Sequence, residues 1–224
     1  MFRYIFEMDG VEVFDFDVSK QDPVEEQKLP AWLKLEFEQC AICPLKSENQ
    51  TFCPAAIDVY KIIDAFNPHR SFDKVKVKVI SPEREYYKEC DIQTGLNSLL
   101  GLVMASSGCP VVSRLKPMAK FHLPFSTMEE SLVRTLSFYL LEQLIISKKN
   151  GIEPDWSLES LVLLYEDLKS VNEAFLRRIK ACDNQNDANL NAIIRFFTLS
   201  TLIPISISDL IESVGDIFPP KLTI

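Results

Sequence analysis

Glycine is scarce in this chain, at 6 of 224 residues, and the 13 prolines are scattered rather than clustered. Neither pattern supplies a flexible or proline-rich linker, and no low-complexity segment or internal repeat separates two halves. Histidine occurs only twice, and no His-Glu-x-x-His element, glycine-rich phosphate loop or Ser/His/Asp order is present, which excludes the commonest motif-borne chemistries. Positive charge is in deficit as well. With 24 Lys and Arg against 32 Asp and Glu, the net charge is −8. That balance disfavours general binding to nucleic acid or anionic membrane, because both require phosphate charge to be neutralised. Residues 1–50 hold 11 acidic against 5 basic side chains, interleaved with apolar ones, and read as a solvated face.

Long apolar runs are absent too. Ile92 to Ser113 carries no charge, but Gln93, Asn97, Ser98, Ser106, Ser107, Gly108 and Pro110 interrupt it, so a buried helix is expected there rather than a membrane span. Arg3, Glu7 and Asp9 leave no room for the apolar stretch of a secretory signal. The expectation is a cytoplasmic protein with reduced cysteines.

What remains is ordinary globular composition, 47% hydrophobic and 25% charged. The pattern predicts an α+β fold: a small antiparallel sheet, made of an N-terminal hairpin and a third strand, packed with a predominantly helical bundle. Alternation over 2–8 and 11–18 on either side of Asp9-Gly10 predicts the hairpin. In Lys74-Val-Lys-Val-Lys-Val-Ile80, period two puts three valines on one face and three lysines on the other, which reads as the wet face or edge of a sheet before a docking stripe. Glu83-Arg84-Glu85-Tyr86-Tyr87 reads as a solvated turn.

Helices are expected over about 30–39, 54–66, 93–107, 127–148, 157–181 and 188–202, the last ending before Pro204, with a short piece at 207–214. Pro54 suits a first helical position, with Cys53 as N-cap, and Gly108 suits a left-handed helix stop. Residues 1–150 form an α+β core that carries the cysteine motifs. Residues 151–224 form a helical C-terminal part packed on the same domain, and offer a surface for a protein partner or a second copy.

The cysteines carry the strongest chemical signal. Cys40-Ala-Ile-Cys43 has the two-residue spacer that lets both sulfurs reach one metal, and Cys43, Cys53 and Cys109 each precede proline. A proline after a ligating cysteine fixes the backbone and turns the chain away, as at the end of bacterial ferredoxin cysteine runs. Cys40, Cys43, Cys53 and Cys109 would supply four thiolates, enough for zinc or an iron–sulfur cluster. The competing reading is that they are small buried hydrophobes, since one isolated CxxC is a weak signal. Cys90 and Cys182 have no such context and read as structural.

His122 lies in Pro117-Met-Ala-Lys-Phe-His-Leu-Pro-Phe125, a stretch of little helix or strand propensity. It is a candidate fourth or alternative ligand, or a general acid/base, against the plainer reading of a ring packed among Phe121, Leu123 and Phe125. His69 reads as an exposed turn residue.

These strings, Cys40-Ala-Ile-Cys43-Pro44, Cys53-Pro54-Ala55-Ala56, Gln93-Thr-Gly95-Leu96, Ser107-Gly-Cys109-Pro110, Pro117-Met118 and Phe121-His-Leu-Pro-Phe125, resemble a family of bacterial proteins of unknown function over roughly residues 1–150. The resemblance implies no activity, only that the four cysteines and the His122 loop act together. Three functions are consistent with the sequence. One is a thiolate-ligated metal or iron–sulfur centre in a sensing, regulatory or accessory role. The second is a cysteine-based redox switch or enzyme that uses Cys53 or the Cys40/Cys43 pair with His122. The third is a metal-free interaction module.

Overall fold

The hairpin forms where alternation and Asp-Gly predict it. A computed structural model, describing residues 2–8, 10, 12–19, 29–182 and 187–215, pairs β1 (Arg3–Met8) with β2 (Glu12–Asp17) in antiparallel register, and Gly10 takes the positive φ of 69°. Asp9 and Val11 of the expected turn, like Asp183 and Asn184 after Cys182, lie outside the described residues. β1 also pairs with β3 (Lys74–Ile80), and β3 with β4 (Glu85–Asp91), giving an antiparallel sheet of order β2-β1-β3-β4. β4 corrects the expectation of a solvated turn at 83–87. It is an edge strand with few buried side chains, so the apolar alternation that announces a strand is missing.

β3 is central, and its lysines face solvent across from acids. Lys78 Nζ stands 2.8 Å from Glu85, Lys74 Nζ 3.6 Å from Asp91, and Lys76 is in register with Glu7 and Glu89. The row is a paired wet face, which leaves little net charge for an acidic partner.

The other face of the sheet is core. Tyr4, Phe6, Val75, Val77 and Val79 are buried. Helix α1 (Pro54–Phe66) brings Phe66 to 5.0 Å from Phe6, centroid to centroid. Helix α2 (Ile92–Ser106) crosses at Gly95, where a Cβ would stand 2.7 Å from Phe6 and 2.9 Å from Val77. Residues 31–33 form a single 3-10 turn rather than the helix expected over 30–39, and Lys34 then bridges to Phe52. Pro117 to Lys120 is helical after all, within α3 (Lys116–Lys120), since proline is admitted in a first turn.

α4 (Met128–Asn150) opens with a reciprocal capping box between Thr127 and Glu130 and closes on Gly151 in the left-handed region. α5 (Glu159–Ala181) follows as expected, but the helix expected over 188–202 ends early as α6 (Ala188–Phe196), and α7 (Thr198–Gly215) runs through Pro204 in place of the short piece at 207–214. The chain breaks at Phe197, where the Ser200 amide bonds back to the Phe197 carbonyl. A break there lets Pro204 sit inside the new helix at the loss of one backbone bond.

The chain forms two compact units, residues 1–125 with 170–196 and residues 126–169 with 197–224, so the expected division at residue 150 does not coincide with them. The first unit holds the sheet, α1 to α3, the second part of α5, and α6. The second holds α4, the first part of α5, and α7; within it Tyr165 and Thr135 hydroxyls share a 2.9 Å hydrogen bond, and Tyr139 donates to Asp155 at 2.6 Å. Among the described residues no helix is long and apolar enough to cross a membrane.

Candidate metal centre

Three segments of the first unit bring Cys40, Cys43, Cys53 and Cys109 into the same region. The Cys43 amide bonds the Cys40 carbonyl at 3.0 Å, which closes a tight turn of the kind a two-residue spacer requires. Cys53 is tied to the same region from the other side: its amide donates to the Leu33 carbonyl at 2.9 Å, next to the Lys34–Phe52 bridge. It is the N-cap of α1, with Pro54 at the first helical position as predicted. The third segment is the exit of α2. Its stop is Ser107 in extended backbone rather than a left-handed glycine, and Gly108 has an ordinary φ. Close approach explains the glycine instead, since a Cβ on Gly108 would stand 3.3 Å from the Pro54 Cβ. That contact lays Cys109 against the start of α1. The Ser107 hydroxyl also accepts the Cys109 amide at 3.2 Å.

The electrostatics report the same convergence. Burial first, then the nearby charges of Cys43, Cys109 and Cys53, push the Cys40 thiol up to about 12. Burial also raises Cys53, opposed by the Arg178 guanidinium and by the Ala56 and Ala55 amides that face its sulfur at the helix N-terminus. All cysteines are reduced, and among the described residues no group of three or more His, Cys, Asp or Glu is placed so that it could hold a metal ion as it stands. Burial thus keeps the Cys40 and Cys53 thiols protonated near pH 7. Metal binding releases such protons and draws the thiolates together. Four sulfurs and no oxygen or nitrogen donor is a set that suits zinc or iron–sulfur chemistry.

Arg178 was invisible in the sequence. It reaches this region from α5, is 2% exposed, and donates through Nη1 to the Trp32 and Lys34 carbonyls at 2.6 and 2.8 Å and through Nη2 to Leu35 at 2.9 Å. Burial lowers its pKa, while Cys53, Cys40, Cys43 and Glu38 hold it up.

His122 is held elsewhere. Its Nε2 shares a 2.6 Å hydrogen bond with the buried Tyr4 hydroxyl, which is 2.7 Å from Ser98 Oγ; Ser98 also accepts the Phe125 amide at 3.1 Å. Ser98 sits about 12 Å along α2 from its exit toward Cys109, at 1.5 Å per residue. The ring packs on Phe2 and Tyr4. Burial raises Tyr4 well above the usual phenol range, so its proton stays and bridges Ser98 and His122. Tyr4→Phe is expected to cost about 1–2 kcal/mol in a urea titration, because it strips a buried network of its central hydroxyl. Tyr4 and Ser98 were both missed: inward alternation marks Tyr4 only as core.

The remaining candidates are structural. Cys90 is buried on β4, and Cys182 bonds back to the Arg178 carbonyl at 3.3 Å. His69 is not an exposed turn residue. Its ring meets Phe14 edge-on at 5.6 Å and Phe66 at 5.8 Å.

The chain belongs to a family described only as a domain of unknown function (DUF6901), whose model matches residues 1–219. No curated protein and no solved structure matches it.

Proposed function

We propose that this domain carries a thiolate-ligated centre, zinc or an iron–sulfur cluster, held by Cys40, Cys43, Cys53 and Cys109 and serving a sensing, regulatory or accessory role in the cytoplasm. The observation that carries the reading is the approach of four cysteines from three separate segments, each with a local reason to be there: a tight turn, a helix N-terminus and a glycine-allowed contact. Isolated buried cysteines have no need of such convergence. His122 is left out of this set because its Nε2 and its ring are gathered with Tyr4, Ser98 and Phe2.

The test is purification without oxygen, followed by visible absorption and elemental analysis. One zinc per chain, or several irons with brown colour, supports the centre. Protein free of both metals overturns it.

A cysteine enzyme or switch fits less well. Reactive thiols have lowered pKa values, whereas burial raises Cys40 and Cys53. In metal-free protein at pH 7, Cys40 and Cys53 are therefore expected to react with iodoacetamide more slowly than free cysteine, and fast alkylation of either would favour the enzyme reading. An interaction role draws on a different observation: α4 leaves Leu141, Leu144 and Ile145 between 44% and 50% exposed. Sedimentation at several concentrations tests whether a second copy covers them.

A further inference from the structure

Arg178 presents a physical problem. A guanidinium that is 2% exposed should have a carboxylate partner, because an isolated buried charge is expensive. Among the described residues it has none within ion-pair distance. Its neighbour Arg177 takes Glu38, with Nε 2.6 Å from the carboxylate. The hydrogen-bond partners of Arg178 are three neutral carbonyls, Trp32, Lys34 and Leu35. The Nε hydrogen and one on Nη2 make no further hydrogen bond among the described residues.

The three carbonyls belong to the segment that receives the Cys53 amide at Leu33 and leads into Cys40. The fork therefore fixes the segment against which Cys53 is aligned, and puts a permanent positive charge beside the sulfurs. Four thiolates outweigh a divalent metal by two negative charges, and burying that excess needs a cation nearby. Lysine would supply the charge but not a planar fork that holds three carbonyls at once.

We infer that Arg178 is the positioning residue of the cysteine centre, aligning the 32–35 segment on Cys53 and, with the larger effect, compensating the negative charge of the ligated thiolates. The inference rests on the four-thiolate reading. It adds that the centre is completed by a residue from the C-terminal third, more than 120 positions after Cys53 in the chain.

The test uses the full-length reduced, metal-free chain, titrated without oxygen with cobalt(II) alone. The readouts are the sulfur-to-cobalt absorption, the apparent affinity, and the pH at which half the sites are filled. The wild type should show a thiolate–cobalt spectrum. Arg178→Gln retains hydrogen-bonding capacity without charge, and should weaken cobalt binding by about tenfold or more and move half-filling to higher pH, the scale typical of losing a group that supports metal ligands. Arg178→Lys should recover affinity to within about threefold of wild type, because charge is the larger part of the effect.

Wild-type affinity and an unchanged pH midpoint in Arg178→Gln would overturn the inference while leaving the centre intact. So would an Arg178→Lys variant as weak as Arg178→Gln, since the charge would then contribute nothing. Should circular dichroism show Arg178→Gln unfolded, a folded Arg178→Lys decides alone: near-wild-type affinity supports the inference, and a tenfold loss overturns it. A wild-type chain that gives no thiolate–cobalt band removes the four-thiolate centre itself, an outcome distinct from the others.

Discussion

Saturating the reduced chain with its metal should raise the thermal midpoint by about 8–16 °C over the metal-free form. A ligand at a thousand times its dissociation constant stabilises by about 4 kcal/mol, and a chain of this size gains roughly 2–4 °C per kcal/mol. The gain is large because the ligands tie the 40–43 turn, the start of α1 and the exit of α2 into one unit. Cys40→Ser, Cys43→Ser, Cys53→Ser or Cys109→Ser should each abolish most of the shift. Cys90→Ser and Cys182→Ser should leave it unchanged, since neither thiol stands with the other four. Scanning calorimetry with and without a chelator measures all six. A shift retained in the first four variants, or lost in the last two, would place the metal elsewhere.

The second large effect concerns the helix at the centre of the first unit. Gly95→Ala forces a methyl to 2.7 Å from Phe6 and 2.9 Å from Val77, and Gly101→Ala forces one to 2.7 Å from the Phe196 ring. Phe6 and Val77 are fully buried and have little room to retreat. Each change should cost about 1–3 kcal/mol by overpacking, well above the gain alanine brings to a helix interior. The two sites are six residues apart and meet different partners, so their losses should add. A double variant about 2–6 kcal/mol less stable in denaturant is expected. Unchanged midpoints would mean that α2 does not pack this closely on the sheet and α6.

Much of this architecture was legible because local and tertiary demands agree. Asp-Gly between alternating runs makes the hairpin, the valine row of β3 can face only a core, and Pro54 after Cys53 starts a helix in any context. The proposed cysteine grouping starts in the sequence from a spacer and a repeated Cys-Pro step, which by themselves do not bring Cys109 near the other three. What does so is the close approach at Gly108, which imitates a helix-stop glycine in sequence.

What escaped the sequence depends on partners far along the chain. β4 has almost no alternation because only its pairing with β3 makes it a strand. Pro204 reads as a boundary, yet the helix ends earlier, at Phe196, and a turn at Phe197 starts the next one. Arg178 sits in a helix rich in charge and looks like any solvated residue until three carbonyls and the cysteine segment surround it. His122 was visible as a functional candidate, but its attachment to Tyr4 and Ser98, 118 and 24 residues away, was not. No local pattern encodes a contact at such separations.

X-ray absorption at the edge of whichever metal copurifies tests the central claim most directly, because it counts the ligands. A shell of sulfur alone, four atoms at about 2.3 Å for zinc or the sulfur and iron shells of a cluster, is the result expected from Cys40, Cys43, Cys53 and Cys109. A shell containing oxygen or imidazole nitrogen would contradict it and bring His122 or a carboxylate into the site.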